Sequence, residues 1–231
     1  MEKRYLYEMH QHTEICSKCG KANPEELVHA LKADGFAGVV ITNHFYHGNT
    51  GVDRGLCWAD FVKAYEQSYL DAKAEGDKIG VDVLFGMEEH VGNSKEVLIY
   101  GVHPQFFYDH PELRACDLKM IHDLVHEAGG LVVQAHPFRA RGYIKDPKLR
   151  LDPKLLDGIE VHNACNKPGE NEEALALAEE HGLIVVAGSD AHRCEFEDRF
   201  GISCAHRITT EEELVSVLKA GDYRPVYKTI V

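Results

Sequence analysis

Short apolar runs rich in Val and Ile recur along the chain, separated by longer stretches with helical periodicity. The runs RYLYEMH (4–10), FAGVVIT (36–42), VDVLFGM (81–87), EVLIYGV (96–102), LVVQAH (131–136), GIEVHN (158–163), LIVVAGS (183–189) and GISCAHRI (201–208) read as buried strands. Between the first two, Asn23, Pro24 and Glu26 supply a cap, a first-turn proline and a capping-box glutamate for a helix that stops at Gly35. WADFVKAYEQSYLDAKAEG, ELRACDLKMIHDLVHEAGG, ENEEALALAEEHG and TEEELVSVLKAG continue the helical series, most of them closing on glycine. Strand and helix alternate nearly to the end. That order predicts an α/β fold, a parallel sheet with crossover helices closed or nearly closed as a barrel, in a single domain spanning 1–231. The longer connections, 45–57 and 138–151, are expected to be loops at a site.

Polar residues fall at particular places in this pattern. His10 and His12 follow the first strand, His44 the second, Glu88 the third, His103 the fourth, His136 the fifth, and Asp190 with His192 the seventh. In an α/β barrel the C-terminal strand ends converge on one face, so groups scattered in sequence are expected to be neighbours in space. Residues two apart on a strand point the same way. His10 and His12 can therefore reach one ion, and Asp190 and His192 can do so from across the barrel. Imidazole and carboxylate together suit zinc, manganese or iron. Eight such groups exceed what one tetrahedral ion uses, so two or three divalent ions are expected. Glu88 is the expected bridge, because strand alternation directs Glu89 to the opposite side.

Composition narrows the partner. With 25 Lys and Arg against 38 Asp and Glu the net charge is -13, which argues against a grip on long nucleic acid and leaves room for a small anion where basic residues cluster. No apolar run reaches the roughly 20 residues that span a bilayer, and MEKRYLYEMH lacks the apolar core of a signal peptide, so a cytoplasmic protein with no membrane partner is expected. Seven cysteines, an odd number, read as reduced thiols. The locally basic stretch RARGYIKDPKLR (139–150) offers Arg139 and Arg141 as phosphate partners. His162 and Asn163, ending the sixth strand, are candidates for substrate contact or leaving-group protonation. His122 and His126 lie on an amphipathic helix and read as solvated or capping residues. Nothing in the sequence sets the oligomeric state.

The motifs together resemble the PHP domain (polymerase and histidinol phosphatase) family. They are H-x-H-T at His10 to Thr13, T-N-H at Thr42 to His44, G-x-E at Gly86 to Glu88, G-x-H at Gly101 to His103, A-H-P at Ala135 to Pro137 and G-S-D-A-H at Gly188 to His192. The resemblance implies a distorted (β/α)7 barrel with a trinuclear metal centre used for phosphoester hydrolysis, and Glu88, Asp190 and His192 as the residues nearest the chemistry. By position, His10, His12, Glu88 and Asp190 would hold one ion, while Glu88 would bridge to a second bound by His103 and His136. His44 and His192 would bind a third. Many relatives add an Asp or His to that third site shortly after the first motif. Here the segment reads Cys16, Ser17, Lys18, Cys19, so either cysteine is a candidate ligand, the alternative being two loop thiols. Asn43 also stands where many relatives carry Asp.

The expected reaction is attack by a metal-bridging hydroxide on a small phosphomonoester, histidinol phosphate or nucleotide-like, with no Ser or Cys nucleophile. The competing readings are a metal-bound interaction module without catalysis and a metal-dependent amidohydrolase. The absence of a strand-end lysine suited to carbamylation and the G-S-D-A-H motif count against the amidohydrolase.

Overall fold

The computed structural model describes residues 3–195 and 198–229. Among them the strands are β1 (Tyr5–Gln11), β2 (Gly38–Ile41), β3 (Asp82–His90), β4 (Glu96–Tyr100), β5 (Leu131–Gln134), β6 (Gly158–Asn163), β7 (Ile184–Gly188), β8 (Asp198–Cys204) and β9 (Tyr223–Thr229). The helices are α1 (Pro24–Ala33), α2 (Trp58–Ile79), α3 (Pro104–Asp109), α4 (Leu118–Glu127), α5 (Glu170–His181) and α6 (Glu211–Ala220).

Local chemistry explains most boundaries. Asn23 caps α1 by accepting from the amides of Glu25 and Glu26, and Gly80, in a left-handed conformation, ends α2. The stretch 112–130, expected as one helix, is a 3-10 turn at Pro111–Ala115 followed by α4. Asp117 accepts from Met120 N and so starts the second helix afresh. β9 was not expected from the sequence, because Pro225 lies within it. It is an edge strand paired antiparallel with β8, where a missing amide is tolerated.

All nine strands belong to one sheet in the order β7-β6-β5-β4-β3-β2-β1-β8-β9. β1, β2 and β3 run parallel, as do β5, β6 and β7, but β4 is antiparallel to both its neighbours. The ends of the series meet. Asp190 N donates to His10 O at 2.8 Å and His12 N to Ala191 O at 3.0 Å, so the chain just after β7 closes onto β1. The result is a distorted seven-stranded barrel, with β8 and β9 continuing the sheet beyond β1.

Two apolar clusters hold this shape. In one, Val39, Ile41, Val83, Phe85, Val97 and Ile99 pack against residues of α1 and α2 such as Leu27, Leu31, Phe61 and Tyr65. In the other, Val40, Leu84, Leu98, Tyr100 and Val133 join Leu214, Val215 and Leu218 of α6. The alternation Val39/Val40 and Val97/Leu98 divides adjacent residues between the two clusters, as strand geometry requires. No helix among the described residues is long and apolar enough to cross a membrane.

Candidate metal centre

Seven of the eight strand-end groups converge. His10 Nε2 and His12 Nε2 lie 3.1 Å apart, each is 3.3 Å from a Glu88 oxygen, and Asp190 Oδ1 is 3.5 and 3.2 Å from them. Donor atoms around a tetrahedral ion with bonds of about 2.1 Å stand about 3.4 Å apart, so these four groups fit one such ion. Beside them, His136 Nε2 is 3.1 Å from Glu88 Oε1, and His44 Nδ1 is 2.8 Å from Glu88 Oε2. Neither His44 Nδ1 nor Glu88 Oε2 makes a hydrogen bond, although both are buried. Buried polar atoms left in this way are costly unless something else engages them, and a cation would do so. His12, His44 and His192 also gather their ring nitrogens.

Neighbouring residues aim the rings. His10 Nδ1 donates to Glu160 Oε1 at 2.8 Å, and the other oxygen of Glu160 accepts from His136 N at 2.9 Å. His12 Nδ1 donates to Ser17 Oγ, which donates to Asn43 Oδ1, and His192 Nδ1 donates to the Asp190 carbonyl at 2.8 Å. With those nitrogens occupied, the Nε2 lone pairs are left for the cleft. Asn43, the departure from the usual Asp, also uses its amide to donate to Thr13 Oγ1 and Ser68 Oγ. His136 and Asp190 both have positive φ, of 26° and 53°, an unfavourable conformation for residues other than glycine that is held where the groups converge.

The electrostatics favour bound positive charge. Burial would lower the His10 pKa, but Glu160, Asp190 and Glu88 outweigh it and hold it well above the ordinary value. Burial together with His44 and His192 pushes His12 well below. Burial would raise Glu88, yet His10 and His44 bring it well below the usual carboxylate range, and Arg139 with His10 does the same for Asp190. A divalent cation can take the place of the proton that these carboxylates hold on His10.

Four expected site residues lie elsewhere or are otherwise engaged. His103 follows β4, and because β4 is antiparallel its C-terminal end points away from the cluster. The His103 side chain is half exposed and pairs with Glu211 and Glu212 at 3.4 and 2.7 Å. Glu96, which opens β4, takes the vacated place. Its oxygens lie 3.5 Å from His136 Nε2 and 3.8 Å from His44 Nδ1, and burial followed by the Glu88 charge raises its pKa. Arg141 is held by Glu170 at 2.8 Å and by the Cys165 carbonyl at 2.6 Å, so it faces the α5 side and not the cluster. His162 sits past an irregularity in the β6 register, and its ring neighbours Phe200. Cys16 is fully buried and donates to Tyr65 O at 3.0 Å.

Cys19, in contrast, lines the cleft together with His44 and His192. Burial would raise its thiol, but the two imidazoles outweigh that and bring it down to about 6. Arg139 is buried and donates to Asp190 Oδ2 at 2.7 Å and Asn163 Oδ1 at 2.8 Å. A cleft of about 410 Å³ opens over the cluster, lined by Cys19, His44, Asn49, Glu88, Glu96, His136, Arg139, Tyr143, Asp190 and His192.

Glu96 and Glu160 are absent from the sequence expectation. The signal for Glu160 is a single carboxylate inside the apolar run GIEVHN. For Glu96 it is the five-residue connection VGNSK (91–95), too short for a crossover between parallel strands and so the mark of a hairpin that reverses β4.

The chain is similar to the 5'-3' exoribonuclease Rnm of Escherichia coli K12, 31% identical over 81 residues, a match spanning 34% of this chain and only 28% of that protein. Its fold resembles a two-domain Bacteroides vulgatus protein containing a predicted PHP-like metal-dependent phosphoesterase, with a TM-score of 0.69 at 16% identity over 97% of this chain and 65% of that one. It also resembles Endonuclease Q in complex with a 27-mer duplex carrying an abasic lesion, with a TM-score of 0.63 at 14% identity over 94% of this chain and 57% of that one. The last corrects the expectation drawn from net charge. A protein of this fold takes a DNA duplex at its active site, so an acidic balance over the whole chain does not exclude long nucleic acid. The PHP-associated profile matches residues 168–223 and the PHP domain profile matches residues 8–189, which places the chain in the PHP domain family.

Proposed function

We propose that this chain is a metal-dependent phosphoesterase that hydrolyses a phosphomonoester of nucleotide-like or histidinol-phosphate size in the cleft above Glu88. The observation that carries the reading is Glu88 itself. It is buried and stands between His10 and His12 on one side and His44 and His136 on the other, with one oxygen making no hydrogen bond. His10, His12, Glu88 and Asp190 would hold one divalent ion, and Glu88, Glu96 and His136 a second. His44 and His192 would hold a third. When bound, such ions neutralise phosphate oxygens and lower the pKa of a water near them.

The rest is done by the chain. Glu160 and Ser17 fix which nitrogens of His10 and His12 face the cleft. Arg139 keeps Asp190 in place and presents a buried guanidinium on the cleft wall, where a phosphate oxygen can meet it. Tyr143, 67% exposed, stands at the rim and offers a ring face to the organic part of a substrate.

The test, with added Mn²⁺, is phosphate release from histidinol phosphate and nucleoside mono- and bisphosphates, together with strand cleavage of short oligonucleotides and of a duplex with an abasic site. Wild type is compared with Glu88→Gln. Turnover that the variant lacks supports the reading, and the preferred substrate sets its class. Metal bound with no turnover on any member of the panel would sink it and favour a binding module.

A further inference from the structure

We infer that Cys19 is a thiolate ligand to the ion at His44 and His192, which gives this corner of the centre a sulfur donor. The inference rests on reading the cleft as a metal centre. Cys19 lies in a tight turn, with Gly20 N donating to Ser17 O at 2.9 Å, and the turn is tied down by Lys18 N to Asn49 O and Lys21 N to His192 O. Gly20 lets it pack closely, since a Cβ there would lie 2.2 Å from Thr13 O. The thiol is therefore delivered by a braced segment. It lines the cleft together with both imidazoles.

Around it, the His12 ring centroid lies 4.4 Å from that of His44 and 4.3 Å from that of His192, and the donor nitrogens of the three fall within 4.8 Å of one another. His12 already turns Nε2 to the first ion and Nδ1 to Ser17, so His44 and His192 are the neutral donors left for this one. Glu88 Oε2 lies 2.8 Å from His44 but also faces His12, and Asp190 Oδ1 is shared by His10 and His12. An anionic sulfur beside these two imidazoles would help balance the charge of the ion, and Cys19 lines the cleft where it can supply one. Cys16, three residues earlier, is buried against α2 and cannot. A sulfur donor shifts this site towards zinc and away from manganese or magnesium.

Cobalt(II) distinguishes the possibilities, because thiolate ligation produces an intense near-ultraviolet charge-transfer band that nitrogen and oxygen ligands do not. Metal-stripped full-length protein, Cys19→Ser and Cys19→Asp are loaded with cobalt and their metal content is counted. The expected result is a band in the wild type that both variants lack, with Cys19→Asp binding as many ions as the wild type. In the wild type, zinc should also slow alkylation of Cys19 by iodoacetamide by about tenfold or more, read by peptide mass, whereas magnesium should not. A full complement of cobalt without the band, a band that persists in Cys19→Ser, or alkylation indifferent to zinc would overturn the inference while leaving the metal centre intact. Failure of the wild type to bind cobalt or zinc would overturn both.

Discussion

Glu160 shows how much a single uncharged substitution should cost here. Its carboxylate accepts from His10 Nδ1 and from His136 N, so it orients one ring directly and the other through the backbone. Glu160→Gln keeps the shape but removes the charge that makes His10 a strong donor. Metal affinity is expected to fall roughly 10- to 100-fold with little change in fold, measurable by competition with a chelator. A second pair of variants separates the two ends of β4. Glu96→Ala should reduce the number of bound ions, whereas His103→Ala should leave metal content unchanged, and the opposite result would restore His103 to the centre. At this scale the H-x-H and D-x-H pairs were legible, because strand alternation alone puts such residues on one side. Glu160 was not, and the sixth strand was read instead for His162 and Asn163 as substrate contacts. The register shift between Glu160 and His162 breaks the alternation that would have made the two equivalent.

The elements were legible from apolar runs and caps, but their directions were not. A run such as EVLIYGV reads the same in either direction, so its polar ends could be assigned to the cluster only once the sense of β4 was known. The connection between β3 and β4 carries that information in Gly92, Asn93 and Ser94, all with positive φ, as a tight reversal demands. Closure of the barrel likewise depends on a close approach invisible to periodicity. A Cβ on Gly188 would lie 2.4 Å from His10 Cβ and 2.9 Å from His10 N, so β7 reaches β1 only because this residue has no side chain. Gly188→Ala should wedge that seam apart. The expected cost is about 1–3 kcal/mol, as for overpacking in a core, seen as a lower midpoint in urea. Because the displaced residue is His10, zinc affinity should fall in the same variant. Stability lost with affinity unchanged would mean that the seam can shift without moving the donor.

Over the whole molecule, the net charge misled because it sums the surface, whereas binding is decided by the local field of the cleft. Here buried Arg139 and any bound cations face the substrate together with Glu88, Glu96 and Asp190. The same concentration of acids has a thermodynamic consequence. Three carboxylates and five imidazoles packed at one cleft have no role in the unfolded chain, so an ion that binds them binds only the folded state and stabilises it by mass action. At a hundredfold excess over Kd one zinc contributes about 2.7 kcal/mol. For a chain of this length, each kcal/mol moves the midpoint by roughly 2–4 °C, so scanning calorimetry should show metal-stripped protein melting roughly 5–10 °C below the zinc-loaded form. The shift should grow with the logarithm of zinc concentration and be smaller in Glu88→Gln, which removes the group shared between sites. A midpoint that ignores zinc in the wild type would mean that these side chains do not bind it in the folded protein, and the metal-centre reading would fall with it.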